Sequence, residues 1–296
     1  MKKLTKIIIP VAGLGTRVLP ASKVVPKELL TVVDKPVIQH VIEEAIQAGF
    51  SEIILVTRSG KSMIEDHFDS HFELEAALAA KGKDDLLQSI KNILPDHVSI
   101  SSVRQSAPLG LGHAVLCAQA LIGDDDFAVS LADVLIHHAE GAHHTDLATL
   151  VAKFNASGAA QIMVEAVADE DVDKYGIVDC GNADFDSGES HNIVAMVEKP
   201  PVGSAPSNQS IIGRYILPAR TMQLLKETKP GAGGEIQLTD AIDQLIKEMP
   251  VEACPMQGKT YDCGNKSGYM IANLRFALDH AETGEAVKTW IKNLDL

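Results

Sequence analysis

The chain has 296 residues, about twice the ~150 of a common domain, and its 46% hydrophobic and 22% charged residues exclude the disordered, collagenous and coiled-coil classes. Aromatic residues at 4% leave little to stack single-stranded nucleic acid or long glycans upon. Forty acidic against 26 basic residues give a net charge of -14, which repels nucleic acid and anionic membrane and, taken naively, argues against a phosphate-rich substrate too.

The first residues mimic a secretory leader, with Lys2, Lys3 and Lys6 ahead of an apolar run. Pro10, Gly13 and Gly15 interrupt that run and Arg17 follows at once, so a leader is not expected. Residues 6–12 read instead as a buried strand ending in a glycine turn. A helix is predicted over 36–48, with Val37, Val41, Ile42 and Ala45 on one face and Gly49 as its stop. A strand at 53–57, helical and charged sequence over 62–94, a strand at 98–103, a helix at 113–121 and a strand at 127–132 follow, the last ending on Asp133. This rhythm predicts a parallel, doubly wound sheet that binds ligands at the carboxyl ends of its strands.

The second half is less regular. Strands at 161–167, 193–197 and 211–217 flank a Pro/Gly/Ser-rich loop at 200–210, and helices at 219–227, 238–249 and 267–280 precede a last one ending at Trp290 and Ile291. There is no internal repeat and no low-complexity linker, so a single α/β body is expected. No apolar stretch approaches the ~20 residues of a membrane span. Cys117, Cys180, Cys254 and Cys263 form no Cys-x-x-Cys unit, which suits reduced thiols in a cytoplasmic protein.

The chemistry concentrates in residues 10–30. A glycine turn after a first strand lets backbone N–H groups approach an anion. It is not a dinucleotide fingerprint, because Val18 stands where the third glycine belongs. Nor is there a P-loop: Gly60-Lys-Ser62 and Gly258-Lys-Thr260 have Leu55 and Ala253 at the first glycine position. What remains is a glycine turn followed by Arg17 and Lys27, with no carboxylate before Glu28.

Gly13-x-Gly-Thr-Arg-x-x-Pro20 followed by Pro26-Lys-Glu28 resembles the signature of nucleotidyltransferases that activate sugar 1-phosphates. The continuation through Val33-Asp-Lys-Pro-Val-Ile-Gln39 narrows the likeness to the bacterial UTP–glucose-1-phosphate uridylyltransferase family. Later motifs recur in order along nearly the whole chain: Gln105 with Leu109-Gly-Leu-Gly-His-Ala114, Asp133, Lys174-Tyr-Gly-Ile177, Val197-Glu-Lys-Pro200, Gly213-Arg-Tyr215, Gly234-Glu-Ile-Gln-Leu-Thr-Asp240 and Tyr261-Asp-Cys-Gly264.

The resemblance implies a Rossmann-like nucleotidyltransferase fold, a mixed, mainly parallel sheet flanked by helices in one domain spanning 1–296. Its nucleotide-binding half covers about 1–135, its sugar-phosphate-binding half about 136–265, and its C-terminal helices about 266–296. It implies attack of glucose 1-phosphate on UTP assisted by Mg²⁺, in a homo-oligomer, dimer or tetramer. Carried over residue by residue, the backbone of Ala12, Gly13, Leu14, Gly15 and Thr16 holds the nucleotide, Arg17 and Lys27 neutralise its phosphates, and Gln105 with Gly110 reads the base. Asp133 and Asp262 hold the metal, Glu198 and Lys199 meet the sugar hydroxyls and the 1-phosphate, and Gly176 and Gly213 wall the hexose. Alone, each of these residues would pass for an ordinary surface or turn residue; position within the motifs raises them.

Ser22, Ala132 and Thr31-Val32 depart from the family pattern, and Ala132 bears on the aim of Asp133. The rivals are a thymidylyltransferase using dTTP and a non-catalytic regulatory paralogue, which should have lost Arg17 or the metal carboxylate. A dehydrogenase fails on Val18 and the Arg17/Lys27 pair. The cluster His137, His138, His143 and His144 has no helix-face ligand spacing, and Asp124 to Asp126 read as a solvated turn.

Overall fold

A computed structural model describes residues 3–138, 144–185 and 188–294. Strand β1 (Lys6–Pro10) buries Ile7, Ile8 and Ile9 completely, as a β-branched run does when both sheet faces are covered. The glycine turn and three short 3₁₀ turns, Thr16–Val18, Ala21–Lys23 and Lys27–Leu29, lead to a small hairpin, β2 (Thr31–Val32) and β3 (Lys35–Pro36). Helix α1 (Val37–Gln47) and strand β4 (Glu52–Thr57) follow close to their expected bounds.

The charged stretch over 62–94 is three helices, α2 (Ser62–Phe68), α3 (Phe72–Ala80) and α4 (Asp84–Lys91), the last two with no buried residue. Strand β5 (Ser99–Arg104), helices α5 (Leu111–Cys117) and α6 (Gln119–Ile122), and strand β6 (Phe127–Ser130) complete the first half.

Strands β6, β1, β4 and β5 lie in that order and run parallel. The chain therefore leaves β1 toward β4 and returns at β6 on the opposite side. The gap beyond the carboxyl ends of β1 and β6 is the switch point at which such sheets bind ligands.

In the second half, β7 (Val134–His137), α7 (Asp146–Ser157), β8 (Ala160–Ala166), β9 (Gly176–Asp179), β10 (His191–Asn192), β11 (Ala195–Glu198) and β12 (Gln209–Leu217) are followed by α8 (Arg220–Glu227) and α9 (Leu238–Leu245). Strands β13 (Val251–Pro255) and β14 (Lys259–Asp262) and helices α10 (Lys266–Asp279) and α11 (Gly284–Lys292) end the chain. One ten-stranded sheet results, in which β12 runs antiparallel between β6 and β8 while β13 is parallel to β8. The sheet is thus mixed rather than uniformly parallel. Its two faces are buried separately, Ile7 and Ile9 with α1 and α7 on one side, Ile8 with α5, α8 and α9 on the other, as the two-residue period of a strand requires.

The segment 124–126 is more than a solvated turn: Asp125 pairs with Lys6 at 2.8 Å, and Asp126 accepts the Ala219 N–H at 3.0 Å ahead of α8. No helix among the described residues is long and apolar enough to cross a membrane.

Candidate active site

Past β1, the chain turns through Gly15, whose φ of 68° places it in the left-handed region. A Cβ there would lie 3.1 Å from that of Ser22, whose hydroxyl donates to the Gly15 carbonyl at 2.7 Å. The turn thus needs glycine, and the serine found at position 22 fastens it. The Thr16–Val18 turn buries Val18 and leaves the Arg17 side chain 61% exposed.

The Lys27–Leu29 turn sends adjacent residues opposite ways. Lys27 enters the crevice, whereas Glu28 is buried at 1% exposure and bonds Lys61 Nζ through both oxygens, at 2.9 and 2.8 Å. Burial pushes the Lys61 ammonium below its ordinary pKa, against the raising effect of Glu28.

Strand β6 delivers Asp133 to the same edge. The β7/β14 ribbon sets Asp262 opposite Val134, and the Cys263 N–H donates to the Asp133 carbonyl at 2.8 Å. Two carboxylates from distant parts of the sequence so become neighbours. Lys27 Nζ lies 2.5 Å from Asp133 Oδ2, while Arg17 bridges both acids, Nη2 at 3.8 Å from Asp133 and Nη1 at 3.4 Å from Asp262. Burial pushes the Asp133 carboxyl up, but Lys27 and Arg17 more than offset it and hold it below the usual carboxylate range.

Asp262 is oriented by the Gly264 N–H at 2.7 Å and Asn265 Nδ2 at 2.9 Å. Position 264 has no room for a side chain: a Cβ would fall 2.5 Å from Asp133 Oδ2, 2.7 Å from Arg17 Nη2 and 2.8 Å from Asp262 Oδ1. Among the described residues no cluster of three or more His, Cys, Asp or Glu side chains forms a metal cage. A pair of hard oxygen donors fits Mg²⁺, which keeps several waters and draws other ligands from phosphate.

Gln105 follows β5, its N–H donating to the Thr57 carbonyl at 2.8 Å. Its Nε2 lies 3.1 Å from the Gly110 carbonyl and 3.0 Å from His113 Nδ1. Gly110 has φ 97°, and a Cβ there would overlap Glu235 Cβ and the Ile236 carbonyl at 2.8 Å. The Gly110 loop is tied to that second segment by Ile236 N–H to Leu109 O and Gly112 N–H to Ile236 O, both 2.8 Å. The motifs at 109–114 and 234–240 therefore form one wall.

Two clefts meet at Asp133. One, of about 290 Å³, is lined by Ala12, Gly13, Leu14, Lys27, Gln105 and Gly110 as well as Asp133. The other, of about 360 Å³, lies against Arg17, Asp133 and Asp262 and extends past Glu165, Tyr175 and Thr260.

Gly176 and Glu198 face each other across β9 and β11, and Glu198 Oε2 accepts the Thr239 hydroxyl at 2.8 Å. A Cβ at Gly176 would crowd that oxygen at 3.1 Å. Lys199 has φ 47° and donates its N–H to the Tyr175 carbonyl at 3.0 Å, but its side chain is 60% exposed. Gly213, at φ 81°, lies against Leu131, where any Cβ would overlap at 2.6 Å. Gly15, Thr16, Gly176, Glu198, Lys199 and Gly213 do not line the two clefts.

His137 pairs with Asp279 at 2.6 Å and His138 with Asp146 at 3.0 Å, His144 is exposed, and His143 lies outside the described residues. Gly264, Thr239 and the Glu28–Lys61 pair carry geometry that sequence reading did not assign. Thr239 and Gly264 lay inside recognised motifs, and Lys61 in a triplet set aside as a failed P-loop.

A family model described as nucleotidyl transferase matches residues 6–277. The UTP–glucose-1-phosphate uridylyltransferase of Haemophilus influenzae is 50% identical over 290 residues, covering 98% of both chains. That of Escherichia coli K12 is 52% identical over 291 residues, covering 98% of this chain and 96% of its own. A solved structure described as UTP-bound UGPase from Acinetobacter baumannii aligns with a TM-score of 0.92 at 54% identity, over 99% of this chain and all of that one.

Proposed function

The chain belongs to the nucleotidyl transferase family, and from that membership we propose that it transfers the uridylyl group of UTP to glucose 1-phosphate, forming UDP-glucose and pyrophosphate. The observation that carries this reading is the meeting of two clefts at Asp133, Lys27 lining one and Arg17 the other. A reaction between two anions needs such a junction.

The attacking phosphate oxygen is already ionised, so no activated serine, cysteine or histidine is required. It forms a bond to the α-phosphorus of UTP as the bond to the pyrophosphate oxygen breaks. Catalysis consists of alignment and charge stabilisation. The turn from Ala12 to Thr16 holds the nucleotide through backbone N–H groups, and the Gln105 amide with the Gly110 backbone reads the uracil edge. Lys27 and Arg17 neutralise the triphosphate and the leaving pyrophosphate, where their charge counts most in the transition state. Glu198, held by Thr239, accepts hydrogen bonds from the hexose, Lys199 meets its phosphate, and Gly176 and Gly213 keep side chains out of its way. Asp133 and Asp262 would hold Mg²⁺, which when bound would supply further charge neutralisation at the phosphates.

The same reading takes 1–296 as one domain with the two halves and C-terminal helices given above, supported by the continuous sheet. Four free cysteines support a reducing, cytoplasmic setting. Met270, Ile271 and Trp290 are 55–59% exposed on α10 and α11, which supports a homo-oligomer, dimer or tetramer, closing over that apolar face. Pyrophosphate release from sub-saturating UTP or dTTP with glucose 1-phosphate tests the activity. UTP should give the higher kcat/KM, by only about tenfold because one methyl is a weak discriminator. A higher value for dTTP overturns the choice of base, and no turnover with either would favour the regulatory paralogue.

A further inference from the structure

Arg214 is wholly buried, and its guanidinium has no place in either cleft. It sits behind Asp133. Nη2 donates to the Val134 carbonyl at 2.7 Å and to Glu44 Oε2 at 2.8 Å, while Nη1 donates to the carbonyls of Leu131 at 3.2 Å and Gly213 at 3.4 Å. Nε completes the set, 3.2 Å from Glu44 Oε2. The five N–H donors of a guanidinium are thus all used. Two of the acceptors, Leu131 O and Val134 O, bracket Ala132 and Asp133. The Leu131 N–H is held as well, by the Gly213 carbonyl at 2.9 Å.

We infer that the Arg214–Glu44 pair is the positioning device that aims the Asp133 carboxylate at the metal and phosphates. The inference rests on Asp133 being the metal carboxylate proposed above.

A buried ion pair is a poor choice for stability alone, because well-packed apolar residues of similar volume are often as good or better. What apolar residues cannot do is hold two carbonyls at fixed spacing, and the planar guanidinium fork can. The clamp also needs Gly213: its φ of 81° and the register shift between Ile211 and Tyr215 put Arg214 under the loop. Glu44 comes from α1, so the loop is referenced to a helix packed in the core.

The test compares R214K and E44Q with wild type and with D133N. Mn²⁺ affinity of the protein–UTP complex, read by proton relaxation enhancement, is measured beside kcat, the KM for UTP and Tm. In R214K and E44Q, Mn²⁺ affinity and kcat should fall by about 10- to 100-fold while the KM for UTP holds. Full Mn²⁺ affinity and kcat in either folded variant overturn the inference, as does loss of UTP binding and kcat in step with Tm, the mark of a merely structural role. Should R214K fail to fold, E44Q, which keeps one acceptor oxygen, carries the test. D133N separates the two readings. Wild-type Mn²⁺ affinity in D133N removes the metal role of Asp133 itself, whereas loss in D133N with no loss in R214K or E44Q removes only the clamp.

Discussion

Gly264 shows how a residue with no side chain can control charged groups. The two carboxylates and Arg17 close around it so tightly that a methyl would lie within 2.8 Å of all three. Those atoms are ends of side chains, and Arg17 is exposed, so G264A should fold with Tm close to wild type. Its acids and Arg17 must move apart, and misplacement on the scale of an ångström costs about 100-fold in rate. A kcat within a few-fold of wild type would mean that the approach of these groups is not needed for turnover. At this scale the sequence was legible where chemistry follows motif spacing: Arg17, Lys27, Asp133 and Asp262 come together. Gly264 was not, because its constraint comes from side chains brought in by the 3₁₀ turn at 16–18 and the loop after β6. Lys199 lies in a recognised motif, yet its side chain is 60% exposed, with Nζ 3.7 Å from Glu198 Oε1, and lines neither cleft.

Among the elements, the 3₁₀ turn Lys27–Leu29 depends on a strut rather than on propensity. Three residues cannot hold themselves, and the Glu28–Lys61 pair ties this turn to the segment after β4. K61M should leave a buried carboxylate without its partner, at a cost of about 3–5 kcal/mol. The double variant E28Q/K61M should recover a good part of that loss. Denaturant unfolding of the wild type, both singles and the double measures the coupling, and additive losses would show that the pair does not act as a unit. The elements read best from sequence were those with a clean period, such as α1, expected over 36–48 and found at Val37–Gln47. Strand β14 was not read, since four partly exposed residues have no period of their own and take strand form only by pairing with β7. Helix α7 has no counterpart among the elements expected from sequence; its signals are a Thr145 side-chain cap and a left-handed Gly158.

For the whole molecule, a net charge of -14 and a polyanionic substrate coexist because charge is sorted in space. Arg17 and Lys27 both follow β1 and reach the crevice beyond its carboxyl end, and parallel winding carries β1, β4 and β5 to that same edge. Arg58 and Arg104, on the ends of β4 and β5, add two more cations to a cleft of about 440 Å³ that shares Ala12, Leu14 and Gln105 with the nucleotide crevice. Neither arginine lines the cleft walls at Asp133, so their effect on UTP should be that of a field rather than of contact with the reacting phosphorus. A field of this kind draws an anion in and is screened beyond about 10 Å at 0.1 M salt. The R58A/R104A variant should therefore raise the KM for UTP several-fold at low ionic strength and leave kcat near wild type, the difference shrinking as salt rises at fixed free Mg²⁺. A fall in kcat that persists at high salt would instead make these arginines part of the chemistry, and an unchanged KM at low salt would confine the attraction to the two turns that carry Arg17 and Lys27.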